Sequence, residues 1–306
     1  MGNPTTSGTY QNPILDNCLL LTVQTKGIGN SKSVSSSQIT DEDFAGRLSV
    51  SKRLLESPEL KAISGHFSSV ASYLKKRCIN SYFKRGMYCC PISRVEEVAA
   101  RLDMFKAELP ALVSTFGLVY ESQVAVSKNG EALGRLFSEQ DYHTLEYIQQ
   151  AFGMDWMWLE IKVPDSLNRV SSDLYKQASQ QMQAKWQEAS AQITLAMRAQ
   201  VQDILAKMVD KLTPDSGGKK KIIRTDSVEK VKDLISDFKE INITNDRELE
   251  NIIQQVSVVM AGIDCVELRS NAAEQMFVRQ SFETIGKKLE GMITDQPLRA
   301  MSWEDE

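Results

Sequence analysis

Gly217-Gly218-Lys219-Lys220-Lys221, with Arg224 three positions on, is the run whose residue types most directly suggest chemistry. Glycine lets backbone N–H groups approach an anion closely and lysine adds point charges, so the chemistry on offer is phosphate or nucleic-acid binding. The spacing is not that of a P-loop, because GxxxxGK[ST] is absent and the run follows a helical pattern rather than a strand. A solvated linker whose lysines favour the C-terminal end of the preceding helix accounts for the same residues. Both readings stand: a linker, or an anion contact through Lys219, Lys220, Lys221 and Arg224.

Other chemistry is sparse. His143 and Glu146 have the i, i+3 spacing of carboxylate-bridged metal sites, but no second such pair completes one. Cys18, Cys78, Cys89, Cys90 and Cys265 are odd in number and show neither CxxC nor zinc-ribbon spacing, so they read as reduced, buried thiols. Cys89 or Cys90 would need an adjacent base to act as a nucleophile, and beside Pro91 in an apolar segment they read as packing. No catalytic, metal-binding or cofactor-binding residue is nominated. A non-enzymatic protein is expected.

The elements that would position any site follow from composition and periodicity. The 306 residues carry 36 Lys+Arg against 40 Asp+Glu, a formal net charge of −4, which excludes a surface built throughout to neutralise phosphates. Only 16 Gly and 8 Pro disfavour a many-turned β-sandwich. No stretch approaches the roughly 20 uninterrupted apolar residues of a spanning helix, and the first apolar run is broken by Asp16 and Asn17. A soluble, cytoplasmic protein without membrane contact is the expectation.

Residues 17–25 read as a strand. Ser57-Pro58-Glu59 opens a helix with its apolar stripe on Leu60, Ile63, Phe67, Val70 and Leu74. Ser93 with Glu96 predicts a capping box for the next helix, which Pro110 should kink. Trp156 and Trp158 share one face of an extended segment over 155–163, either as core plugs or as partner anchors.

From Val170 to Leu212 apolar residues recur at 170, 174, 178, 182, 186, 189, 193, 197, 201, 204, 208 and 212 with no internal Gly or Pro. Eleven steps over 42 residues average about 3.8, more than the helical repeat of 3.6, so the stripe wanders around the helix. Such a rod is about 60 Å long, and part of its stripe should meet another helix or another chain. Trp186, Ile193 and Met197 on this ladder join Trp156 and Trp158 as candidate interface residues. Asp226 with Glu229 and Asn245 with Glu248 predict two further capped helices.

The fold expected is mainly α: a helical bundle with one long central helix (about 170–212) and a minor β element (about 17–25 and 155–163). Its parts would be a flexible N-terminus (1–13), a mixed helical domain with short strands (14–164), the arm (165–213), a Gly/Lys linker (214–224), a C-terminal helical domain (225–293) and an acidic tail (294–306).

Two regions resemble the bacterial and phage family of unknown function DUF3150. One runs from the Leu19–Val23 strand through Leu48-Ser49-Val50-Ser51-Lys52-Arg53-Leu54-Leu55 to the helix ending near Tyr120. The other is Lys221-Ile222-Ile223-Arg224-Thr225-Asp226-Ser227-Val228 with Glu240-Ile241-Asn242-Ile243-Thr244-Asn245-Asp246, similar to the family's basic entry and its Leu-Asn-Ile-Thr-Asp-Asp-like turn. The chain departs from the family in lacking an aromatic just after its opening strand. The resemblance implies a mainly helical protein often encoded near MoxR-type AAA+ ATPases and proteins with von Willebrand A (VWA) domains. It supplies no catalytic residues. The function it implies is an adaptor partnered by such an ATPase or VWA-domain protein. Self-association, nucleic-acid binding through 219–224 and an unrecognised enzyme are the other readings.

Overall fold

The structure is a computed structural model, and it describes residues 13–34, 50–81, 86–129, 132–214 and 221–294. The expected flexible N-terminus, acidic tail and most of the linker lie outside these. The protein is mainly helical with a minor antiparallel β element. It divides into two units. A sheet unit comprises the described residues of Leu20–Cys90 and Arg94–Leu159, and a helical unit those of Met1–Leu19, Pro91–Ser93 and Glu160–Glu306.

In the sheet unit, β1 (Cys18–Lys26) pairs antiparallel with β6 (Gly153–Leu159), from Leu20 opposite Leu159 to Lys26 opposite Gly153. β4 (Ile79–Asn80) and β5 (Met87–Pro91) complete the order β4-β5-β1-β6, while β2 (Ser31–Val34) and β3 (Val50–Arg53) form a separate hairpin. β6 starts and stops earlier than the sequence predicts, because its hydrogen-bonding partner β1 ends at Lys26 opposite Gly153.

α2 (Pro58–Arg77) begins as expected: the Ser57 hydroxyl accepts from the Leu60 N–H at 3.3 Å, and Pro58 occupies the first turn, where its missing donor is harmless. Leu60, Ile63, Val70 and Leu74 are buried, and α2 packs on α3 (Val95–Lys128). The Ser93 capping box does not form. Ile92–Arg94 is already a 3₁₀ turn, so Ser93 lies inside helical backbone rather than at the extended position from which a hydroxyl reaches a free N–H. Pro110 does not interrupt α3, which runs 34 residues with Pro110 on its exposed side. α4 (Leu145–Ala151) also packs on α3, capped by Thr144.

The helical unit contains α1 (Pro13–Asn17), α5 (Asp165–Val170), α6 (Ser172–Leu212), α7 (Thr225–Ile241), α8 (Arg247–Met260), α9 (Cys265–Ser270) and α10 (Ala272–Thr294). α6 is continuous over 41 residues. Ser171 is extended and its hydroxyl accepts from the Leu174 N–H at 3.2 Å, so the rod begins there rather than at Val170. α6 packs along α10 and against α7, so the arm and the C-terminal helices share one unit. Asn17 also belongs here, donating to the Ile243 carbonyl at 3.2 Å.

Two of the predicted caps shift. Arg224, not Asp226, holds the cap position of α7 and makes no side-chain cap bond. α8 is capped by Asp246, which accepts from the Leu249 N–H at 3.1 Å, while Asn245 takes the left-handed conformation (φ 54°) that lets the chain turn.

Candidate functional site

α6 consists of two unlike parts, about the first third of its length and the remaining two thirds. From Ser172 to Lys185 no residue is buried; from Trp186 to Leu212 the side chains of Trp186, Ile193, Met197, Val201, Leu205 and Met208 are. The uncovered part is about 21 Å long at 1.5 Å per residue. Val170 is 79% and Leu174 50% exposed, and Gln177, Gln180, Gln181 and Gln183 are exposed around them. Val170, at the end of α5, and Leu174 are thus left in water, where each would gain from being covered, while Ala178 and Met182 further along the ladder are half-buried.

The covered part is locked by Arg198, 6% exposed. Its Nε donates to Asp246 Oδ2 at 2.8 Å and its Nη2 to Asp246 Oδ1 at 3.0 Å, the paired geometry that suits a planar guanidinium. Nη2 also donates to Glu248 Oε2 at 2.8 Å and Nη1 to the Met292 carbonyl at 3.0 Å. The hydrogen bond to Asp246 raises the Arg198 pKa against the opposing effect of burial. One side chain thus ties α6 to the start of α8 and to a carbonyl near Thr294, the last described residue of α10. Nothing local marks Arg198 in the sequence; in a Gln-rich helix it reads as one more surface charge.

A second uncovered apolar surface lies between α8 and α10, a groove of about 950 Å³ lined by Val258, Val259, Phe277 and Ile285 among glutamines and Lys288. Val258 and Phe277 are exposed.

The candidate interface residues separate accordingly. Trp186, Ile193 and Met197 are buried, which corrects their assignment as partner contacts: the stripe they stand on is filled by the protein's own side chains. Trp156 and Trp158 do share a face, with ring centroids 5.8 Å apart, and both pack half-buried on the sheet unit's core. The Trp156 indole donates to Asp103 at 3.2 Å. Both thus contribute to the core of the sheet unit while remaining partly accessible.

Of the basic run, Lys219 and Lys220 lie outside the described residues. Lys221 pairs with Asp210 at 2.6 Å, and that hydrogen bond holds the Asp210 carboxyl below its usual range. Arg224 is exposed, and the buried Ile223 beside it accepts from Arg269 Nε through its carbonyl at 2.7 Å. The described end of the linker is thus anchored, and Lys221 and Arg224 belong to the helical unit whereas Trp156 and Trp158 belong to the sheet unit.

His143 stacks on Tyr147 and His66 sits edge-on to Phe105, its Nε2 2.8 Å from the Phe105 carbonyl. Among the described residues no three His, Cys, Asp or Glu gather as a metal site. All five cysteines are buried, and Cys78, hydrogen-bonded to Cys90 and desolvated, is pushed well above the usual thiol range. Among the described residues one helix, α3, is long and apolar enough to cross a bilayer by length and composition, and its stripe from Val98 to Tyr120 is buried in the sheet unit's core.

Fold and surfaces define a mainly helical, two-unit protein with uncovered amphipathic helix. Compared with known proteins, the chain matches no family model, no curated protein and no solved structure.

Proposed function

We propose that the protein is a non-enzymatic helical interaction protein, an adaptor that presents the first third of α6, Ser172 to Lys185, to a protein partner. The single observation that carries this reading is the absence of any buried residue between Ser172 and Lys185, beside the exposed Val170 and Leu174. An exposed apolar stripe on a helix that its own unit leaves uncovered is the surface a groove on another protein would take. The resemblance to DUF3150 makes a MoxR-type AAA+ ATPase, or a VWA-domain protein encoded with it, the partner to try first; in that arrangement the ATPase supplies the nucleotide chemistry.

The test is affinity purification of the full chain at low and high salt, with Leu174→Glu alongside. Recovery of an encoded neighbour ATPase in a salt-resistant complex, weakened by Leu174→Glu, is the expected result. Recovery only of nucleic acid that salt removes and Lys221→Ala with Arg224→Ala abolish would replace this reading with nucleic-acid binding. A chain that elutes as a larger assembly by itself, dispersed by Leu174→Glu, would replace the foreign partner by a second copy.

A further inference from the structure

The sheet unit contains a cavity of about 520 Å³ that the proposed interaction surface does not use. It lies where the turn after β1, Lys26-Gly27-Ile28-Gly29-Asn30, meets the first two turns of α2. Its size falls in the range of small-ligand pockets, about 300–1,000 Å³.

The lining has two characters. Ile28, Leu60, Ile63, Phe67 and Phe152 give it an apolar wall. Its charged members, Lys26, Arg53 and Lys61, are all cations, with no carboxylate among the lining residues. Arg53 reaches outward to Glu56 at 2.9 Å, an exposed pair that water screens and a bound anion can displace. Lys26 and Lys61 are exposed.

The turn is held in shape before any ligand arrives. The Asn30 side chain donates to the Leu55 carbonyl and accepts from the Leu55 N–H, both at 2.8 Å, and the Leu54 N–H donates to the Asn30 carbonyl at 3.0 Å. The backbone comes close to the aromatic wall at Gly27, where a Cβ would stand 3.4 Å from the Phe152 ring. At the exposed Gly29 a Cβ would meet nothing within 4 Å.

A wet site of one charge sign beside a preformed apolar wall selects an anion that also carries an apolar part. We propose that this cavity binds a small organic anion, its phosphate or carboxylate head among Lys26, Arg53 and Lys61 and its aromatic or aliphatic body against Phe67 and Phe152. A nucleotide and an acyl carboxylate share that chemistry.

Calorimetric titration of the full chain with AMP, with decanoate and with inorganic phosphate tests the proposal. The variants are Lys26→Glu combined with Lys61→Glu, and Phe67→Ala, which removes part of the apolar wall; far-ultraviolet circular dichroism confirms that each is folded. Saturable one-to-one binding of AMP or decanoate is expected, weakened at least about tenfold in the charge variant and also weakened in Phe67→Ala. AMP alone identifies a nucleotide site, and decanoate alone an acyl site. Binding of neither, binding that both variants retain, or inorganic phosphate binding as tightly as either organic anion would overturn it.

Discussion

α3 and α6 are both single helices of more than 30 residues, yet one is covered along its length and the other along its last two thirds. On α3 the buried residues run from Val98 to Ser127, because α2, α4 and β6 are distributed along it. On α6 they start at Trp186, because α10, its main companion, has 23 residues against 41. The comparison teaches that an apolar ladder fixes which face of a helix is apolar, and that the length of the companion fixes how much of that face leaves water.

The sharpest way to break this contrast is to remove the anchor of the covered part. Arg198→Ala leaves Asp246 with its side chain only 5% exposed and its guanidinium partner gone, and should lower the unfolding free energy by about 3–5 kcal/mol in a urea titration. An unchanged midpoint would mean that the three-helix tie does not hold the rod.

Next in size is a paired truncation. Leu109→Ala in the middle of α3 should cost about 2–5 kcal/mol, since Leu109 is buried in the sheet unit's core. Leu174→Ala in the uncovered part of α6 should stay within about 0.5 kcal/mol of the parent. Similar losses for the two, measured by the same titration, would show that α6 is covered throughout.

The smallest expected effect sharpens the comparison at the margin of the sheet unit. The Asp141 carboxyl is hydrogen-bonded by Lys32 at 2.8 Å and by Lys52, which hold its pKa below the ordinary aspartate value. A depressed carboxyl contributes stability above its unfolded value, about 3.9, and that contribution disappears as the pH falls through the folded value. The parent should therefore exceed Asp141→Asn in thermal midpoint at pH 7, and the gap should close on acidification. A gap independent of pH would assign the effect to packing.

Much of the architecture is legible locally. Ser57-Pro58 with its stripe announces α2, and the unbroken ladder announces α6, because cap chemistry and i, i+4 spacing involve only near neighbours in sequence. The same logic misplaces the caps at Ser93 and Asp226 by a residue or two, since a preceding turn can carry the helix start past the predicted cap. It also selects Ile204 where Leu205 is the buried residue, as a stripe that drifts requires a companion to say on which side it is used. The tryptophan pair was legible as one face, but its role was not: whether a face meets core or partner depends on what lies opposite.

The sequence by itself determines that the chain is mainly helical, that extended segments lie near 17–25 and, a few residues late, near 155–163, and that one helix is longer than the others. Only the tertiary structure decides that Arg198 meets Asp246, 48 residues away, that α6 has no buried residue before Trp186 and that the turn after β1 lines a cavity with the start of α2. Periodicity records relations within one element, whereas burial and charge pairing are sums over elements brought together from distant parts of the chain.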